Sequence, residues 1–129
     1  MATRGTAFFE VQYSLNEEYK VLGCVQIYSD AYPSGFGQEM IKILDGAYIG
    51  EFSEMSEKKI FKNIESIVLE VMSDYSSGYY DDEYIYRFTF KPYMTAEPIY
   101  LASDILDIKV EHSYNNFTGP LPDFKLFCD

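Results

Sequence analysis

The sequence predicts one α+β domain: an antiparallel sheet of about four to six strands packed on two helices, in the order ββααβββ. Three observations lead there. Segments of apolar–polar alternation, the period-2 pattern of half-buried strands, recur toward both ends of the chain. Between them lies a run whose apolar residues recur at helical spacing. A length of 129 residues with 47% hydrophobic content suits a single domain with a buried core and excludes a disordered chain.

Each element follows in turn. Residues 7–15, "AFFEVQYSL", set Phe9, Val11, Tyr13 and Leu15 against Phe8, Glu10, Gln12 and Ser14, as in a strand. "NEE" reads as a turn and 19–28, "YKVLGCVQIY", as a second strand, so the short connection predicts an antiparallel hairpin. Residues 37–45, "GQEMIKILD", read as a short helix stopped near Gly46, and "AYIGEFSEM" as a loop or short strand. With Ser56 as N-cap, a helix to about Ser73 presents Ile60, Phe61, Ile64, Ile67, Val68, Val71 and Met72 as one stripe.

"DYSSGYYDDE" is a loop. Next, "EYIYRFTFKP" alternates Tyr84, Tyr86, Phe88 and Phe90 with Ile85, Arg87, Thr89 and Lys91, and Pro92 ends it. A short strand falls at 98–102. Residues 105–112, "ILDIKVEH", alternate Leu106, Ile108 and Val110 with Asp107, Lys109 and Glu111. The tail "NNFTGPLPDFKLFCD" is turn-rich, with Phe124, Leu126 and Phe127 forming a last strand or a packed extension. No repeat, linker or low-complexity block interrupts the chain.

Composition narrows the function. The formal net charge is −11, from 21 acidic and 10 basic residues. This argues against direct nucleic-acid binding, which depends on Lys and Arg displacing counterions, and favours basic partners. The chain has 13 Tyr and 10 Phe but no Trp, and tyrosine can sit half-buried with its hydroxyl in water. No stretch approaches the ~20 apolar residues of a membrane span, so no membrane association is expected. Two cysteines, Cys24 and Cys128, make no disulfide framework, which fits a reduced, cytoplasmic setting.

Three groups of residues could carry chemistry. The loop "YSDAYPSGFGQEM" offers Asp30, Tyr32, Ser34, Gly35 and Gly37 before a helix, where backbone N–H groups can cradle an anion. It matches no complete phosphate-binding pattern and contains no Lys or Arg, and a turn built on Pro33, Gly35 and Gly37 explains it better. The lone His112 could meet Cys24 or Cys128 only by tertiary accident and reads as a half-buried strand-end histidine. The acids Asp74, Asp81, Asp82 and Glu83 lack the alternating spacing of a calcium loop. Interleaved with Tyr75, Tyr79 and Tyr80, they instead resemble a protein-binding surface: carboxylates for Arg and Lys, rings for buried area. The competing reading is a solvated acidic loop. No catalytic residue, metal or cofactor is assigned, and the expectation is a protein that is not an enzyme.

The N-terminal third resembles a family of small proteins of phages, large DNA viruses and bacteria, none with an assigned activity. The residues that carry the resemblance are Thr3-Arg4, the hairpin, and Asp30-Ala31-Tyr32-Pro33-Ser34-Gly35-Phe36-Gly37 before a helix. "EYIYRF" at 83–88 and the end "FTGPLPDFKLFC" are similar too. Ala31 stands where the family has glycine, and Ile27 and Ser29 stand where it has Arg and an aromatic residue. The resemblance implies a phage or mobile-element setting, hence the cytoplasm of a host cell, rather than an activity.

These readings converge on a small acidic, phage-encoded interaction protein. It would bind and block a host protein's basic nucleic-acid-handling surface, as anti-CRISPR and other anti-defence inhibitors do. The alternative is a binding module for a small anionic ligand such as a nucleotide, held by the 29–37 loop. A homodimer through strand 84–90 is a further expectation, conditional on that strand lying at the sheet edge.

Overall fold

The structure, a computed structural model, describes residues 3–50, 59–78 and 83–129. It is α+β, as the alternation and the helical stripe imply. Among the described residues nine strands and three helices follow one another: β1 (Gly5–Val11), β2 (Lys20–Ile27), α1 (Gln38–Leu44), β3 (Tyr48–Ile49), β4 (Ile60–Phe61), α2 (Ile64–Asp74), β5 (Ser76–Ser77), β6 (Tyr84–Phe90), β7 (Tyr100–Leu101), β8 (Leu106–Glu111), β9 (Phe117–Pro120) and α3 (Leu121–Phe127). Six strands form one sheet in the order β5-β2-β1-β6-β8-β9, and β4-β3-β7 form a small second one.

The sheet is mixed, which corrects the antiparallel expectation. β1 and β2 are the predicted hairpin, with a register shift between Phe9 and Glu10. β6 returns after the long excursion through both of the first two helices and lies parallel to β1, Gly5 opposite Tyr84 and Val11 opposite Phe90. β8 and β9 then add antiparallel strands. β6 therefore has β1 on one side and β8 on the other. Its ladder groups are used within the chain, so the homodimer route through an exposed strand 84–90 is closed.

Alternation decides the two faces. Ala7, Phe9 and Val11 of β1, Val25 and Ile27 of β2, Tyr86, Phe88 and Phe90 of β6, and Ile108 and Val110 of β8 are all buried on the helix-covered face. Phe9 stacks on Phe88 at 5.2 Å between centroids, and Phe88 on Tyr86 at 6.2 Å. Burying such rings is the main stabilising term of the fold, roughly 1.5–3 kcal/mol for each large side chain.

Two helices differ from expectation. α2 begins at Ile64, not near Ser56, because Ile60 and Phe61 are drawn into the second sheet beside Tyr48 and Ile49. Its N-cap is Asn63, whose Oδ1 accepts from the Ser66 N–H at 2.9 Å; Ser56 lies outside the described residues. The tail supplies a third helix, α3, instead of a strand. Pro122 falls in its first turn, where proline removes no helical hydrogen bond, Asp123 follows there, and Lys125 sits in the last turn. Phe124 of α3 inserts between Phe88 (6.0 Å) and Phe117 (5.6 Å), and Lys125 pairs with Asp45 at 2.9 Å.

The C-terminus is locked to the start of α1. Gln38 Nε2 donates to the Cys128 carbonyl at 3.0 Å. A Cβ at Gly37 would stand 2.5 Å from Cys128 Sγ, so glycine is what lets the two segments touch. Burial, reinforced by Asp129, pushes the Cys128 thiol up to about 12. It is therefore fully protonated at pH 8 and inert as a nucleophile. At that pH a thiol reagent should leave Cys128 unmodified in the folded protein and label it on unfolding; fast labelling of the native state would contradict this packing.

Candidate functional site

Topology gathers the residues singled out in the sequence at one end of the main sheet. β1 and β6 begin there, being parallel, while β2 and β8 end there: Gly5 faces both Ile27 and Tyr84, and Ile85 faces Glu111. β5 pairs Ser76 with Gln26, which brings the C-terminus of α2 to the same edge. The loop after β2, Asp74 and Tyr75, Glu83, and the His112–Asn116 loop thus share one end of the molecule.

The loop is built from its own bonds. Asp30 adopts a left-handed φ of 57°, a conformation that Asp tolerates better than most residues. The Phe36 N–H donates to its carbonyl at 2.8 Å and the Gly35 N–H to Tyr32 O at 2.9 Å. A Cβ at Gly35 would strike that same Asp30 carbonyl. Pro33–Gly37 then form a single π-helical turn that runs directly into α1. Ala31 is wholly buried; its N–H donates to Thr3 O at 3.2 Å and its carbonyl accepts the Tyr86 hydroxyl from the middle of the sheet. Desolvation drives the Tyr86 phenol far above its ordinary value, so it serves only as a donor. Tyr86→Phe leaves the Ala31 carbonyl unpaired in the core. It should cost about 1–2 kcal/mol and lower Tm by several degrees in a thermal melt.

Above this turn sits a shallow cleft of about 200 Å³ lined by Ser29, Asp30, Gly35, Phe36, Glu39 and Tyr75, together with Ile27. Tyr75 meets Phe36 edge-on at 5.3 Å. Burial first, and then the charges of Glu39 and Asp74, push its phenol above the ordinary tyrosine range. Tyr32 donates to Asp30 Oδ1 at 2.8 Å, and that bond and the carboxylate's charge raise its phenol too. Glu39 shares its charge with Lys42 across an exposed 3.1 Å pair. Tyr28 and Tyr32 stand exposed beside the cleft. Farther along the same end, His112 stacks on Tyr84 at 4.1 Å and accepts the Tyr114 N–H on Nδ1 at 3.1 Å, leaving the Tyr114 ring 94% exposed.

Two regions that are forty residues apart in sequence therefore meet. Tyr75 of the acid–tyrosine cluster, with Asp74 preceding it in the chain, lines the cleft with Asp30 and Gly35 of the glycine loop and with Glu39, whose place follows only from the helix that carries it. Glu83 is exposed at the foot of β6. Tyr79, Tyr80, Asp81 and Asp82 lie outside the described residues. Ser34 is exposed on the turn, whereas Gly37 is buried beneath Cys128 and belongs to the core. The N–H groups of Gly35 and Phe36 are spent inside the loop, and Asp30 and Glu39 line the cleft. Both features disfavour an anion there.

Among the described residues the remaining titratable groups form no nucleophile–base pair. Cys24 Sγ donates to Gly78 O at 2.9 Å, and burial outweighs nearby Arg87 in raising its thiol. His112 is engaged with Tyr84 and Tyr114. Among the described residues no group of three His, Cys, Asp or Glu is placed to hold a metal ion, and no helix is long and apolar enough to cross a membrane.

A second feature escaped the sequence reading. The other phase of the alternation places Arg87, Thr89 and Lys91 beside Asp107 and Lys109 on the face that no described helix covers. These residues sit at polar positions of well-predicted strands, but only the strand order reveals that they are neighbours. No family model matches the chain, and no similarity to a curated protein or to a solved structure was found.

Proposed function

We propose that the chain is a small acidic interaction protein whose loop end engages a basic surface on a partner protein. One observation carries this reading: the glycine loop and the acid–tyrosine segment meet at one cleft, which Asp30, Glu39 and Tyr75 line, with Tyr32 bonded to Asp30 and the charge of Asp74 acting on Tyr75. Carboxylates at the rim steer and orient a cationic partner, while half-buried phenols supply contact area at little entropic cost. The net charge of −11 extends the same bias over the whole surface.

The proteins that offer large basic surfaces are those that handle nucleic acid, and an acidic domain seated on such a surface excludes the nucleic acid. In that form the protein is an inhibitor of the anti-defence or anti-CRISPR type, acting in a host cell as a phage-encoded protein. The test is affinity capture on the immobilised protein from host lysate at low salt. A basic, nucleic-acid-binding protein is expected to be retained and to elute as salt approaches 1 M, where the Debye length is about 3 Å. Retention only of acidic proteins, or capture indifferent to salt, would count against it.

A further inference from the structure

The uncovered face of the main sheet carries its side chains in cross-strand rungs. The central rung runs Cys24, Phe8, Arg87, Lys109, Thr118 across β2, β1, β6, β8 and β9. The next holds Glu10, Thr89 and Asp107. Arg87 and Lys109 are therefore directly opposed like charges, an arrangement that destabilises an antiparallel pair. In a chain with only 10 basic residues, two of them occupy one rung and a third, Lys91, stands at the end of the same strand.

The local pairing leaves part of this charge available. Lys91 is taken by Asp107. Arg87 spends Nη1 on Glu10, at 3.1 Å, with its guanidinium carbon 4.6 Å above the Phe8 ring, which orients the planar group. Glu10 is nearly buried, so its charge is matched by Arg87 and is not free to repel a ligand strongly. Lys109 pairs with Glu111, at 3.2 Å, both about half exposed to water, so the pair is easily exchanged. In front of the rung lies a cleft of about 520 Å³, whose lining includes Tyr19, Arg87, Thr89, Lys91, Lys109 and Thr118, with Glu10 and Asp107 also present. Three cations face two carboxylates in the lining, and Glu111 beside Lys109 makes the local charge balanced, on a protein that is otherwise strongly negative.

From this geometry we infer that the cleft binds a small phosphate monoester. Arg87 and Lys109 hold the phosphate from adjacent strands. The hydroxyls of Thr89 and Thr118 donate to its remaining oxygens, and the organic part lies toward Tyr19. The guanidinium has N–H groups beyond the one given to Glu10 and can present two of them to a phosphate. A dianion between Arg87 and Lys109 would face both of these opposed like charges at once. The volume lies within the range of about 300–1,000 Å³ common for small-molecule sites, well above what free phosphate fills. The site is on the sheet face and does not depend on the loop end.

The test is titration with phenyl phosphate and with inorganic phosphate, followed by amide NMR shifts and Tm, against sodium chloride at matched ionic strength. Saturable shifts centred on residues 87, 89, 109 and 118 are expected, tighter for phenyl phosphate than for phosphate. Lys109→Thr removes the like-charge pair and keeps a good strand residue, so its ligand-free Tm should not fall, while binding weakens about tenfold or more. Lys42→Thr, on α1, should bind as the wild type does. No saturable response beyond that of chloride, equal binding by Lys109→Thr, or equal weakening by Lys42→Thr would each overturn the assignment.

Discussion

Phe124→Ala should destabilise the protein by about 3–5 kcal/mol, a large share of the roughly 5–15 kcal/mol that holds a domain of this size. The ring is wholly buried on the inner side of α3. It meets Tyr86 and Phe88 edge-on at 6.5 and 6.0 Å, and lies 5.6 Å from Phe117 and 6.3 Å from Phe127. Truncation loses the transfer free energy of the ring, its aromatic contacts and the packing around the cavity it leaves, because the sheet beneath cannot collapse into the space. Leu126, two residues on and 74% exposed, supplies the control: Leu126→Ala should change stability by no more than about 0.5 kcal/mol. Urea denaturation of both variants reads this as a fall in midpoint for the first alone. Equal midpoints would mean that α3 does not seat Phe124 in the core.

The second large effect is on binding. Replacing Asp30 by Asn, Glu39 by Lys and Asp74 by Lys should weaken the partner complex by about 3 kcal/mol, roughly 100-fold, taking about 1 kcal/mol for each altered charge at a partly desolvated rim. Asn is chosen at position 30 because its backbone is left-handed, a conformation that Lys resists. All three residues are exposed, and only the surface pair of Glu39 with Lys42 is lost, so the fold should be spared. Most of the loss is expected in the association rate, with a shallower dependence on salt. A variant that binds as tightly as the wild type would move the interface elsewhere.

How far the sequence foretold this molecule depended on whether the decisive interactions were local. Alternation marked β1, β2, β6 and β8 because one face of each is covered, and the stripe from Ile64 to Met72 marked α2. Alternation does not encode strand direction, so the parallel pairing of β1 with β6 was illegible: Tyr86 and Phe88 would be buried the same way in an antiparallel ladder. Ile60 and Phe61 fell in phase with the α2 stripe and extended it falsely, when tertiary pairing with β3 had claimed them. α3 was hidden by Pro120 and Pro122, which read as turn signals yet are tolerated as N-cap and first-turn residues.

The candidate site shows the same division. Asp30, Tyr32, Asp74 and Tyr75 stood out by residue type, but their meeting depends on β5 pairing with β2. That contact rests on a two-residue strand with no pattern of its own. The cation rung was equally hidden, since Arg87 and Lys109 become neighbours only through the register of β6 with β8. Conversely, Gly37 looked like part of a ligand loop because the sequence gives no sign that Cys128, ninety-one residues later, needs the space above it.

The central claim is that the acidic loop end is the binding surface, and one comparison tests it most directly. Wild-type protein and the Asp30→Asn, Glu39→Lys, Asp74→Lys variant, matched in thermal melt, are immobilised and exposed to the same host lysate, and the retained proteins are quantified. A basic nucleic-acid-handling protein should be recovered on the wild type and reduced to background on the variant. Equal recovery on both would contradict it.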